Sequence, residues 1–218
     1  MKPRKLLPNL FTLAAVIGLV AGCASKSYDK SAATSAALAS TADAVSQTST
    51  SVNGVLAALN NLTFKSQGDL RNQYDAFVSA SKDLDTAMGK LDAKVVALQA
   101  TGAAYINDWT NQLSRIQNEE LHQRSTERKD AVAAKLKEVN ASYLAVRDSL
   151  RPFTSDLKDI QTYLGTDLTA GGLDTVKDNV TRTKTDAIPL RDAIKQLQGD
   201  FDRLSAALSP VLPGVEQK

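Results

Sequence analysis

An all-α fold is what this sequence predicts: an elongated antiparallel bundle or coiled coil of about four long helices. Three observations carry the prediction. Apolar residues recur at alternating steps of four and three over long stretches, an average of about 3.5 that marks a left-handed coiled-coil seam. Only 11 Gly and 6 Pro occur among 218 residues, clustered at a few joints, whereas a sandwich would need turn signals throughout. Aromatic residues make up 5% of the chain while Ala, Leu, Val, Ser, Thr, Asp and Lys dominate, a mixture suited to amphipathic helices.

The first helix has the weakest pattern. Leu38, Ala42, Val45, Ser49, Val52, Leu56 and Leu59 keep the spacing with smaller residues. Residues 31–51 are rich in Ala, Ser and Thr, and hydroxylated residues are modest helix formers. This helix is expected to fray towards its start, leaving 23–33 as a flexible tether ahead of a helical domain over 34–208. Within the joint that follows, Gly68 permits a turn and Asp69 starts the next helix.

The second stripe runs Leu70, Tyr74, Phe77, Ser81, Leu84, Met88, Leu91, Val95, Leu98, Gly102, Tyr105, Trp109, Leu113 and Ile116. It predicts a helix from Asp69 to about Gln117, roughly 73 Å long. Only Ser81 and Gly102 interrupt its apolar character. Consecutive four-residue steps at Tyr105, Trp109 and Leu113 form a stutter that should unwind the supercoil locally. Asn118 with Glu119 and Glu120 then reads as an N-cap followed by acids in a first turn.

The third stripe is Val132, Leu136, Val139, Tyr143, Val146, Leu150, Phe153, Leu157, Ile160 and Leu164. Its phase passes through Pro152, so that proline is expected to kink the helix without ending it. Thr169-Ala170-Gly171-Gly172 closes this stripe. The fourth runs Leu173, Val176, Val180, Thr183, Ala187, Leu190, Ile194, Leu197, Phe201, Leu204 and Leu208, again through a proline, Pro189. Ser209-Pro210 ends it, and 209–218 is expected to be a non-helical tail. Unequal lengths leave one end only two or three helices thick.

Ahead of the helices, Lys2, Arg4 and Lys5 precede an almost wholly apolar run from Leu10 to Ala21, and Leu19-Val20-Ala21-Gly22-Cys23 closes it. A positive start, a short apolar core and small residues at a processing site describe a secretory signal, here 1–22. The run is too short to span a bilayer comfortably. The segment resembles the lipobox of bacterial lipoproteins, which implies cleavage before Cys23 and lipid on its thiol. Cys23 is the only cysteine, so an internal disulfide is excluded. Ala24 and Ser25 follow it with no Asp to resemble an inner-membrane retention signal. The expectation is therefore an outer-membrane anchor facing the periplasm, held in membrane lipid through acylated Cys23.

Charge excludes one large class of partner. The whole chain has 26 Lys and Arg against 24 Asp and Glu, but three of the cations precede Cys23. Without them the balance is near −1, so bulk charge gives no reason to expect a nucleic acid.

Candidate chemistry is sparse. His122 is the only histidine and lies near Glu119 and Glu120, but a zinc site needs three or four ligands, usually His and Cys. The three residues read better as the polar opening of a helix, so no catalytic residue, metal or cofactor is expected. Trp109, Tyr105, Tyr74 and Tyr143 all fall on a seam and read as core packing rather than a ligand-stacking set. Lys90-Leu91-Asp92-Ala93-Lys94 reads as a solvated face. Lys218 resembles the C-terminal lysine by which the major murein lipoprotein is joined to peptidoglycan.

Several spaced groups together resemble a bacterial lipoprotein family catalogued as domain of unknown function 2959. They are Gly68-Asp69-Leu70 with Tyr74, Asp108-Trp109 with Leu113, Asn118-Glu119-Glu120-Leu121 with Ser125 and Glu127, Pro152, and Tyr163-Leu164 with Leu168. The resemblance covers roughly Asp43 to Ile194. One departure is the Ala/Ser/Thr-rich run, which stands where the family carries a charged Lys-Arg-Asp segment. The resemblance implies a helical envelope lipoprotein and transfers no catalytic residue. The expected role is structural or adaptor, through an envelope protein partner or self-association. Alternatives are a peptidoglycan spacer tethered at Lys218, and a binding module opening to lipid or apolar peptide at Ser81, Gly102 and Thr183.

Overall fold

Four helices account for nearly all of the chain that the structure, a computed structural model, describes: residues 21–66 and 68–209, with side chains from Asp29 onward. Helix α1 spans Ala21–Phe64, α2 Leu70–Leu113, α3 Glu119–Thr166 and α4 Ala170–Leu208. At 1.5 Å per residue they are roughly 58–72 Å long. Each packs on two neighbours in the cyclic order α1, α2, α3, α4, most extensively α1 on α2 and α3 on α4. Short joints make consecutive helices antiparallel, giving the expected up-down-up-down bundle. No strand occurs among the described residues.

The α1 seam differs from its expected register. Leu38, Val45, Val52, Leu56 and Leu59 are buried as anticipated, but Thr34, Thr41, Thr48, Val55 and Leu62 are buried too. Ala42 and Ser49 are only half-buried. Threonine fits because its methyl is apolar and its hydroxyl can return to a carbonyl one turn back. The Oγ1 atoms of Thr34, Thr41 and Thr48 donate to the carbonyls of Lys30, Ala37 and Ala44, at 2.9, 2.7 and 2.9 Å. Thr34 and Thr41 also reach across to the α2 carbonyls of Thr101 and Lys94, both at 3.3 Å. Small seam residues let the two backbones come that close.

The range 23–33, expected as a tether, has a helical backbone. The α1 backbone is helical from Ala21, and Lys30 Nζ pairs with Asp108 of α2 at 2.8 Å. Packing on α2 outweighs the modest helix propensity of the Ala/Ser/Thr run, as it does for most helices in proteins.

Caps explain where the other helices begin. Asp69 accepts from Arg71 N at 2.9 Å, and Gly68 supplies the positive φ of 69° in the joint before it. Asn118 accepts from Leu121 N at 3.0 Å. Helix α2 stops at Leu113, four residues short of the expected Gln117, and Arg115 N and Ile116 N turn back to Gln112 O and Leu113 O. Thr169 does not close α3 but caps α4, accepting from Gly172 N at 3.1 Å, which puts both glycines in the first turn of α4. Helix α3 ends at Thr166.

Pro152 and Pro189 lie inside α3 and α4 with both helices continuing beyond them. Each is exposed and is followed by a fully buried seam residue, Phe153 and Leu190. Solvent can satisfy the carbonyls that the prolines leave unbonded.

Candidate functional site

Cys23, the expected lipidation site, lies on the first turn of α1; its side chain falls outside the described residues. So do residues 1–20 and Lys218. The height of Cys23 in the bundle follows from its neighbours. Lys30, seven residues on, faces Asp108, which is five residues from the end of α2. The start of α1 is thus beside the α2–α3 turn.

His122, Glu119 and Glu120 are not drawn into a site. His122 is half-buried on the first turn of α3, where its amide donates to Asn118 O at 2.9 Å. Glu120 turns to Arg124 at 2.7 Å, and Glu119 is exposed. Among the described residues no group of three or more His, Cys, Asp or Glu could hold a metal ion.

The aromatic residues pack against the core, and three of them place polar tips on a neighbouring helix. Tyr74 Oη donates to Gln161 O at 2.9 Å, Trp109 Nε1 to Ser125 Oγ at 2.9 Å, and Tyr143 Oη to Asp92 at 2.6 Å. Tyr105 lies against Trp109, ring centroids 5.5 Å apart. Asp92 is therefore not merely on a solvated face. Burial, and then the Asp92 carboxylate, hold the Tyr143 phenol above its ordinary value. Gln99 Nε2 also donates to Asn140. All four of these polar contacts bridge α2 and α3.

The α2–α3 interface is nonetheless the loosest in the bundle. A groove of about 520 Å³ opens there beside Gly102, lined by Val95, Leu98, Ile106, Leu136 and Val139 with Lys137 at its rim. Gly102 is buried against Leu136: a Cβ there would meet Leu136 Cδ2 at 2.9 Å. A second groove of about 430 Å³ opens on the same interface at Ser81, between Leu84 and Leu157. Two of the three interruptions singled out in the sequence thus border grooves. The third, Thr183, does not: it is fully buried and bonded to Asn179 O at 2.8 Å.

One polar cluster has no counterpart in the expected sites. Asp200 of α4 is buried, accepts from Ser142 of α3 and from Arg203, and lies 3.5 Å from Gln196 Nε2. Its spacing from Gln196 and Arg203, four and three residues, is the sequence signal that could have revealed it. On the α1–α4 face, Asn53 accepts from Arg191 at 2.6 Å and Asn60 from Lys184 at 2.7 Å, one heptad apart.

The family described as a protein of unknown function, DUF2959, matches residues 25–208. The chain belongs to that family. The match is wider than the resemblance read from spaced residues, and takes in nearly all of the four helices. Among curated proteins, none matches the chain. The residues that carried the resemblance now have physical roles. Tyr74 and Trp109 with Ser125 fasten α2 to α3, while Asp69 and Asn118 cap helix starts. In this DUF2959 chain those five residues fix helix starts and the α2–α3 interface.

Proposed function

We propose that this DUF2959 protein is a lipid-anchored structural or adaptor component of the cell envelope, facing the periplasm from the outer membrane. Its contribution is geometric rather than catalytic. The observation that carries the reading is a slender rod of four long helices whose α1 begins at the lone cysteine of a lipobox-like segment. Lipid on Cys23 would hold one end of that rod in a bilayer, with at least two acyl chains needed for a stable anchor. No described helix is long and apolar enough to cross a membrane.

Mass spectrometry of the mature N-terminus tests the first half of this proposal. Acyl mass on Cys23 is expected, together with its loss and release from membranes in Cys23→Ala. An unmodified, uncleaved Cys23 in the membrane fraction would refute it. In-cell crosslinking tests the adaptor role: a reproducible envelope protein or a self-association product is expected, and recovery of neither overturns it.

The α2–α3 grooves favour a second reading, a module that takes an apolar chain between two helices. Pockets of about 300–1,000 Å³ suit small ligands. Acyl-chain binding should slow amide exchange around Gly102 and Ser81; unchanged exchange at saturating ligand ends that reading.

A further inference from the structure

The position of Cys23 along the bundle also fixes which surface meets the bilayer. We propose that the α2–α3 turn, with the first turn of α3, lies against the membrane, and that the opposite end of the rod is held away from it. This rests on the acylation of Cys23 proposed above.

The geometry comes from contacts on described side chains. Lys30 pairs with Asp108 at 2.8 Å and Thr34 reaches Thr101 at 3.3 Å, so α1 runs antiparallel along α2 as far as Asp108. Seven residues of helix from Lys30 to Cys23 rise about 10 Å. From Asp108 to Leu113, the end of α2, the rise is about 7 Å. The backbone of Cys23 is therefore level with Ser114 to Asn118. Even a fully extended run of seven residues would leave it within about 25 Å of Lys30. Phe64, at the other end of α1, is roughly 60 Å away.

The same end of the molecule differs from the other in how it is covered. Asp200 of α4 faces Ser142 of α3, and α4 stops eight residues later at Leu208. The first 15 or so residues of α3, about 22 Å, therefore project past α4. Among the described residues only α1, α2 and α3 reach this end, α1 and α3 each packed on α2. No described helix covers the fourth side of the seam, and Tyr105, Ile106, Trp109 and Ile116 are only half-buried. Leu121 is 59% exposed on the first turn of α3. Arg115 is exposed in the turn itself. A tip carrying Ile116 and Leu121, a Trp and a Tyr one to two turns behind, and a long cation suits the headgroup region. There apolar side chains enter the acyl boundary, aromatic rings sit at its edge and Arg can reach phosphate.

At the opposite end lie the α1–α2 and α3–α4 joints, and Phe64, 46% exposed, has Lys184 Nζ over one face, 4.2 Å from the ring centroid. That end, about 60 Å from the anchor, is what the rod presents to other envelope components.

Acylation consumes the only thiol, so a cysteine introduced elsewhere can be labelled alone. The acylated Leu121→Cys and Phe64→Cys proteins, each carrying an environment-sensitive fluorophore, would be placed in vesicles of phosphatidylethanolamine and phosphatidylglycerol. A share of the lipid would be brominated. Arg115→Cys serves as a second reporter of the turn should the Leu121 label perturb α3. Quenching several-fold stronger at 121 or 115 than at 64 is the expected result. Equal quenching at both ends would mean that the rod lies flat, and stronger quenching at 64 would mean that it stands inverted. No quenching at either end would mean that the turn stays clear of the lipid. Each of these overturns the inference while acyl mass on Cys23 keeps the anchor intact. Absence of that mass removes the anchor and this inference together.

Discussion

Two adjacent glycines should respond to alanine with opposite signs. Gly171 and Gly172 are the second and third residues of α4. A Cβ on Gly171 would come no nearer than 3.7 Å to anything, at Thr169 Oγ1, which is an ordinary contact. Gly171→Ala therefore gains helix propensity and restricts the unfolded chain, worth about 0.4–1 kcal/mol. A Cβ on Gly172 would stand 2.1 Å from the carbonyl oxygen of Asp167 and 3.0 Å from its Cγ. The obstacle at 2.1 Å is backbone, held in place because Asp167 caps α3 through its N–H to Tyr163 O. Relief requires the joint to open by about an ångström, costing about 1–3 kcal/mol as overpacking and up to about 1 kcal/mol more if the Thr169 cap is lost. In a domain of this size 1 kcal/mol moves Tm by about 2–4 °C. Thermal unfolding followed at 222 nm should show Gly171→Ala melting about 1–4 °C above the parent and Gly172→Ala about 2–16 °C below it. Equal melting temperatures for the two variants would mean that the α3–α4 joint is not built this way.

Other perturbations test the core, the buried acid and one titration. Leu91 and Leu98 are equally buried, but Leu98 borders the α2–α3 groove, where neighbours and water can relax into the space it leaves. Within the usual 2–5 kcal/mol for Leu→Ala, Leu91→Ala should fall near the top and Leu98→Ala near the bottom in denaturant titrations; the reverse order would misplace the groove. Asp200→Ala should cost about 1–3 kcal/mol by leaving Ser142 and the partly exposed Arg203 without their carboxylate, and no loss would show the cluster to be solvated. Tyr143 holds its proton in the folded state beyond the value at which the unfolded chain releases it. Its contribution is thus complete below about pH 10 and is lost as pH rises through the folded value. Tyr143→Phe should flatten the alkaline fall in urea midpoints, and an unchanged slope would refute that assignment.

The helical stripes were legible because burial on a long helix imposes a period that few other arrangements share. Phe77, Leu84, Leu91 and Leu98 lie where the spacing puts them, and so do Phe153, Leu157, Ile160 and Leu164. The failures share a cause. Alternating steps of four and three put Ala42 and Ser49 on the seam, whereas Thr41 and Thr48 occupy it with their hydroxyls returned to carbonyls four residues back. Local propensity points to a tether over 23–33, whereas the Lys30–Asp108 contact within that range is long-range. Gly171-Gly172 looked like a helix end because glycine usually marks one; here Gly172 allows two backbones to approach inside a first turn. Cross-helix pairs such as Asn53–Arg191 and Ser142–Asp200 depend on relative helix heights, which periodicity does not contain.

Relative height also gives the two prolines a shared meaning. Ser142 faces Asp200 and Asp156 pairs with Arg182, so Pro152 and Pro189 stand nearly level on the paired helices. An interior proline removes one hydrogen bond and bends its helix. A bend in α3 alone would pull Phe153 away from Leu190, both of which are fully buried. Bends at the same height let the two helices turn together and keep the seam closed. The consequence is energetic coupling. Proline costs about 3 kcal/mol relative to alanine in a helix interior, but if the prolines bend both helices, Pro152→Ala alone would straighten α3 against α4 and forfeit part of that gain in packing. Each single substitution should therefore stabilise by much less than 3 kcal/mol, or even destabilise. Pro152→Ala with Pro189→Ala should exceed the sum of the singles by more than about 0.5 kcal/mol, the usual limit of additivity for independent sites. A double-mutant cycle from denaturant titrations measures this directly. Additive singles would show that each helix bends on its own account, and that the common height of the prolines has no structural consequence.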